Sequence, residues 1–164
     1  MASDQRLVPS AFEVPERLER GGVVLRPLTV DDVVKDYDAV TSSTDHLQAL
    51  FPDESWPLGL TITQNLIDLA WHQKEFQTRR SFAYTVTTPD NAEVVGCVYI
   101  YPTQKAGYDA EVYLWARQSR LAEGLEERLD ALVRNWVDTE WPFRPVAFPG
   151  RDLDWATWHA LPEA

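Results

Sequence analysis

Asp109-Ala110-Glu111-Val112-Tyr113-Leu114-Trp115-Ala116-Arg117 is followed by Gln118-Ser119-Arg120-Leu121-Ala122-Glu123-Gly124, and then by Leu125, Leu129, Leu132, Val133 and Trp136 at helical spacing. The pattern changes from a β-rich run to a 3.6-residue period, so the stretch predicts a strand, a tight turn and an amphipathic helix. A helix start of this kind presents unpaired N–H groups, the local shape that receives a phosphate. The turn itself argues the other way. Leu121 to Glu127 holds one glycine, no basic residue and the carboxylates of Glu123, Glu126 and Glu127. A carboxylate about 6 Å from a phosphate charge costs on the order of 1 to 3 kcal/mol, depending on exposure. The helix end returns only about 0.3 to 2 kcal/mol. The three glutamates share a helix face roughly opposite Leu125, Leu129 and Leu132, so the spacing predicts a solvated face of ordinary first-turn acids. Arg117 and Arg120 are the nearby cations, available either to the turn or to pairing with these glutamates.

Outward from this unit the periodicity stays legible. Downstream, Pro142 to Phe148 reads as a short strand, and Asp152 to Ala160 as a helical turn or two. Upstream, Phe82, Tyr84 and Val86 alternate, Pro89-Asp90-Asn91 turns the chain, and Val94 to Tyr101 returns, which predicts a hairpin. Thr61-x-x-Gln64 is a capping box before Leu66, Leu69, Ala70 and Phe76, giving a helix over Ile62 to Thr78. Thr29-x-x-Asp32 begins an earlier helix that runs to about Val40 and resumes toward Leu50. Val23-Val24-Leu25 is a short strand. Residues 1–20, with Pro9 and Pro15, read as an extended arm, and residues 21–164 as one folded domain.

With 164 residues, 45% of them hydrophobic, the chain suits one globular core. Its formal charge of -11 opposes binding to nucleic acid or an anionic membrane surface. Cys97 is the only cysteine, so no internal disulfide forms, and the first thirty residues hold no signal-like apolar run. The expected setting is soluble and cytoplasmic.

The order strand, helix, helix, hairpin, strand, turn, helix, strand over about Gly22 to Arg151 resembles the GNAT acyltransferase superfamily. The local match is Val112 to Arg117 and the turn after it, where that family has a splayed strand and a loop patterned R/Q-x-x-G-x-G/A. Gly124 matches the first loop glycine, whereas Leu121 stands at the basic or amide position and Glu126 at the second small residue. The resemblance implies an α/β (α+β) fold: a single domain with a mixed, mostly antiparallel sheet flanked by helices. It implies acetyl-CoA as cosubstrate and a small amine as acceptor, with Leu114 and Ala116 pairing with pantetheine and Gly124 opening the pyrophosphate turn. It implies no metal. The competing expectation is a catalytically silent relative that binds a ligand or partner in the same crevice. The fold is expected to be shortened at its C-terminus, since residues 151–164 are too few for the helix and hairpin the family adds there, which leaves a sheet edge for a second copy in a homodimer or for the arm.

Acyl transfer to an amine needs a proton acceptor, and Glu111, or Asp109, is the candidate general base at the start of the strand. The family's thiolate-protonating tyrosine has no counterpart after Tyr113, and His159 in the tail is expected to be exposed. Cys97 reads as a small buried hydrophobe. Asp68, His72 and Glu75 share a helix face and read as solvated, and His46 beside Asp45 as a surface residue. Among the seven tryptophans, Trp56, Trp71, Trp115 and Trp141 are the candidates for a pocket, against core packing for most. The loops Phe51 to Leu60 and Pro102 to Tyr108 are expected to set acceptor choice.

Overall fold

Six strands form one sheet whose spatial order is the order of the chain: β1 (Leu18–Arg20), β2 (Val23–Pro27), β3 (Phe82–Thr87), β4 (Val94–Tyr101), β5 (Ala110–Ala116) and β6 (Val146–Ala147). Neighbours run antiparallel except β5 and β6, which are parallel. This is the mixed, mostly antiparallel sheet expected from the sequence. The computed structural model describes residues 5–164, so Met1 to Asp4 of the expected arm lie outside the described residues.

The period of two along β4 and β5, shifted by one residue at the bulge where Gly96 pairs with Val86 and Val94 with Thr87, sorts side chains to two cores. Val95, Val98, Ile100, Val112 and Leu114 face one side, where they meet Leu125, Leu129, Val133 and Trp136 of α4 (Leu125–Glu140). Val94, Cys97 and Trp115 face the other, against Ala39 and Val40 of α1 (Val33–Thr41), Leu47 of α2 (Thr44–Leu50) and Leu69 of α3 (Ile62–Gln77). Cys97 is buried there, where desolvation pushes its thiol pKa far up, as expected for a hydrophobe rather than a nucleophile. Trp115 and Trp141 are core residues too.

Local chemistry sets the helix starts. The Thr61 side chain accepts the Gln64 amide at 3.1 Å, as the capping box predicts. The Asp32 carboxylate accepts the Thr29 amide at 2.9 Å and pairs with Arg26 at 2.7 Å, over a 3-10 turn (Val30–Asp32) that leads into α1. The expected first helix is thus broken into three pieces.

Two segments differ from the sequence reading. Residues Leu7, Val8, Phe12 and Val14 pack on the α4 side of the sheet, Arg79 donates to the Pro9 and Phe12 carbonyls, and Leu18–Arg20 is the edge strand. These residues therefore join the folded body: Leu18–Arg20 pairs with β2, and the apolar side chains before it pack into the core on the α4 face. The last strand, β6, is shorter than Pro142 to Phe148, whereas the short helix expected in the tail is present as α5 (Trp155–Ala160), after which the chain bridges from Glu163 to Lys105.

Candidate functional site: a cleft and a cavity

Pairing between β5 and β6 is confined to Ala110↔Val146 and Glu111↔Ala147, yet β5 continues to Ala116. Beyond Ala147 the chain turns away through Pro149 and Gly150. Gly150 has φ +79, and a Cβ there would sit 2.8 Å from the Trp155 ring, so glycine is required for the turn and for the close seating of α5. A wedge therefore opens beside Leu114 and Ala116, the positions expected to meet a pantetheine arm.

The protein's own side chains enter that wedge. The Ala116 amide donates to Glu126 Oε1 at 3.0 Å, and His46 Nε2 contacts the same oxygen at 2.7 Å. Arg151 Nη2 donates to the Leu114 carbonyl at 2.9 Å and lies 3.7 Å from Glu126 Oε2. A carboxylate cannot donate, so His46 is the donor in its contact. Burial works against the charged Glu126, but the bonds from His46 and the Ala116 amide, with the charge on Arg151, prevail and hold its pKa below the ordinary glutamate value. Its partners are held in turn. Ser43 Oγ accepts the Gln118 amide at 3.0 Å, and Gln118 Oε1 accepts the His46 amide at 3.1 Å, which docks the start of α2 on the turn after β5.

These contacts correct two expectations. Glu126 does not lie on a solvated face with Glu123 and Glu127: those two are exposed, whereas Glu126 is turned inward. His46 is not a surface residue, its side chain being 14% exposed. Both follow from one requirement, since main-chain groups on β5 that β6 leaves unpaired need partners when buried. Gly124, at φ +75, links a 3-10 turn (Gln118–Glu123) to α4, a conformation that favours glycine. Arg117 pairs with Asp38 at 2.7 Å and Arg120 with Glu93 at 2.5 Å and Glu123 at 3.3 Å, so both cations are spent on surface carboxylates.

On the other face of the same strands lies a cavity of about 610 Å³. Its floor is a tile of cross-strand pairs, Tyr99↔Tyr113 and Tyr101↔Glu111. Tyr99 stacks on Tyr101 with centroids 5.9 Å apart, and the Tyr113 hydroxyl donates to Glu111 Oε1 at 3.0 Å. Phe51, Trp56 and Trp155 form a wall, with Trp155 stacked parallel on Tyr113. Five carboxylates line it, Asp36, Asp53, Glu54, Asp68 and Glu111, and among the described residues no lysine or arginine does.

Two titratable groups at the α1 and α3 side, Asp36 and His72, carry strong shifts. Burial raises the Asp36 pKa to about 6, against a hydrogen bond from Asn65 at 2.9 Å and aided by the charges of Asp32 and Asp68. Burial lowers His72 to about 4, and its Nδ1 is buried without a hydrogen-bond partner. Asp68 and His72 thus line the cavity rather than a solvated helix face. His159 is exposed as expected and bonds to Asp53 at 2.9 Å at the rim. Asp109 lies outside the cavity, where its carboxylate accepts the Arg144 amide at 2.7 Å. Trp56 and Trp71, two of the tryptophans read as pocket candidates, do line it, and the tail adds Trp155 and Trp158. Of the two loops expected to shape the pocket, Phe51 to Leu60 contributes and Pro102 to Tyr108 does not.

The strand order and the helices packed on the sheet superpose on several solved acetyltransferases. The chain has the GNAT fold. It superposes on a ribosomal-protein-S5-alanine acetyltransferase from Vibrio fischeri with a TM-score of 0.60 at 15% identity, covering 74% of this chain and 66% of that one. RimL, a ribosomal L7/L12 alpha-N-protein acetyltransferase solved with coenzyme A, gives 0.58 at 16% identity, covering 74% and 68%. The microcin C7 self-immunity acetyltransferase MccE, solved with acetyl-CoA and AMP, gives 0.54 at 12%, covering 77% and 69%. No protein-family model matches the chain, and no curated protein matches it. At these identities the likeness is one of fold. Among the described residues no helix is long and apolar enough to cross a membrane.

Within this GNAT fold, the residues at the wedge do not fit a CoA thioester as they are arranged. The Leu114 carbonyl and the Ala116 amide are bonded internally, and the Glu126 carboxylate lies where a small residue would leave room.

Proposed function

We propose that this protein binds a small organic cation, a protonated or quaternary amine, in the cavity over β4 and β5. The observation that carries the reading is the lining: the aromatic rings of Tyr99, Tyr101, Tyr113 and Trp155 together with five carboxylates and, among the described residues, no opposing lysine or arginine. A cation over an aromatic face gains about 0.5 to 2 kcal/mol, and several faces with nearby carboxylates add to that. Anions meet the opposite field. Titration of n-hexylamine against its neutral isostere n-hexanol, followed by tryptophan fluorescence, tests it. Preference for the amine by about tenfold or more is the expected result, and equal binding refutes the reading.

A second reading makes that amine the acceptor of an acyl group from acetyl-CoA. It draws support from the GNAT fold and from Glu111, which lines the cavity and is also the last residue of β5 paired with β6, at the apex of the wedge. Glu111 is its candidate general base, and Leu114, Ala116 and Gly124 its cofactor contacts once the Glu126 and Arg151 side chains give up their bonds to β5. The ribosomal-protein acetyltransferases among the structural neighbours extend the acceptor class to the N-terminal amine of a protein, which is a cation as well. Formation of acetylated hexylamine, or of an acetylated N-terminal peptide, from acetyl-CoA supports this reading. Amine binding without turnover supports the first.

A further inference from the structure

The wedge is where a GNAT fold receives its cosubstrate, and here three side chains from distant parts of the chain converge on it. We propose that Glu126, held by His46 and Arg151, is the residue that excludes CoA thioesters from this protein. The inference is independent of the cation reading and concerns the opposite side of β5.

Three observations combine. Glu126 Oε1 is the acceptor for the Ala116 amide, and Arg151 is the donor to the Leu114 carbonyl, so the two β5 groups facing the wedge already have partners. A ligand must replace both bonds before it gains any. The site is also built to keep Glu126 there: its side chain is 12% exposed, His46 reaches it from α2, and the His46 backbone is fixed by Gln118. Finally, its charge has the wrong sign for a pyrophosphate. The guanidinium of Arg151 is engaged by Glu126 and Leu114, Arg128 at the turn donates to the Glu123 carbonyl, and Arg117 and Arg120 are engaged at Asp38, Glu93 and Glu123. The acid at position 126 thus fills the wedge and repels the group that would follow pantetheine into it.

Two titrations test the assignment. In wild-type protein, ¹⁵N spectra recorded up to about 1 mM acetyl-CoA are expected to leave the Ala116 amide unshifted, whereas a saturable shift overturns the proposal. Glu126→Gly restores a small residue and is expected to bind acetyl-CoA about tenfold or more tightly than wild type, while Glu126→Gln, which keeps an acceptor for Ala116 but loses the charge, is expected to fall between the two. Equal affinity of wild type and Glu126→Gly, including binding by neither, removes Glu126 as the determinant. If the glycine variant does not fold, the wild-type titration decides. Hexylamine binding in the same samples is unaffected by either outcome, which separates this inference from the cation reading.

Discussion

The two sides of β5 present opposite solutions to the same problem of exposed polarity. At the wedge the buried charge is partnered: Glu126 has His46, Arg151 and a backbone amide, and Arg117 and Arg120 beyond it have carboxylates. In the cavity five carboxylates meet no lysine or arginine among the described residues, with His159 at the rim against Asp53; burial raises the Asp36 pKa, and the His72 Nδ1 has no partner. A self-satisfied site stabilises the fold, whereas an unbalanced one waits for a ligand. The lesson is that a fold's customary binding cleft and its chemically unsatisfied cavity need not coincide.

The sharpest way to break the contrast is Glu126→Ala. It leaves the buried Ala116 amide unpaired and Arg151 without its carboxylate, and is expected to destabilise the protein by about 2 to 4 kcal/mol in a urea titration. A loss under about 0.5 kcal/mol would show that the network contributes nothing. Because the Glu126 pKa is depressed, its contribution is present above the unfolded value and is lost as pH falls through the folded one.

Asp36→Asn should act in the opposite direction. The wild-type carboxyl, raised from 3.8 to about 6, favours folding fully below pH 3.8 and loses that contribution as pH rises through about 6. Replacing it should therefore stabilise the protein by about 1 to 3 kcal/mol near neutral pH. The same change should weaken hexylamine by about threefold to tenfold, and wild-type affinity for the amine should rise with pH through about 6 as Asp36 ionises. Stability and affinity falling together would contradict the account. His72 carries the reverse linkage: held neutral, with a pKa lowered to about 4, it makes stability decline as pH falls from 6.5 to that value.

Glu111→Gln removes a carboxylate from the cavity floor and is expected to weaken hexylamine by about threefold to tenfold with little change in melting temperature. The smallest effect is expected at Gly124. Alanine there meets only ordinary contacts, Arg128 Nη1 at 3.8 Å and Glu127 Oε2 at 3.9 Å, but must adopt φ +75, so a stability loss of about 1 kcal/mol follows, without change in amine affinity.

The sheet, its hairpin, the capped helix α3 and the strand-turn-helix around Gly124 were legible because each follows from local periodicity and caps. Glu126 was not, because helical spacing places it beside Glu123 and Glu127, and only the unpaired edge of β5 turns it inward. A strand read as longer than its parallel neighbour was the available signal, since its surplus main-chain groups require partners. Glu111 could be placed near the site from the strand alone. The rest of the cavity assembles α1, α3, the loop after α2 and the tail around β4 and β5, and no local pattern links Asp36, Trp56, His72 and Trp155. The apolar residues of the arm were too few for a periodic signal, yet they pack into the core on the α4 face.

Calorimetric titration of the wild-type protein with n-hexylamine at about pH 7.5, in the absence of any CoA compound, tests the central claim most directly. Saturable binding with a Kd of about 1 mM or tighter, weakened about tenfold for n-hexanol, is the predicted result. Absence of binding, or equal affinity for the alcohol, contradicts it.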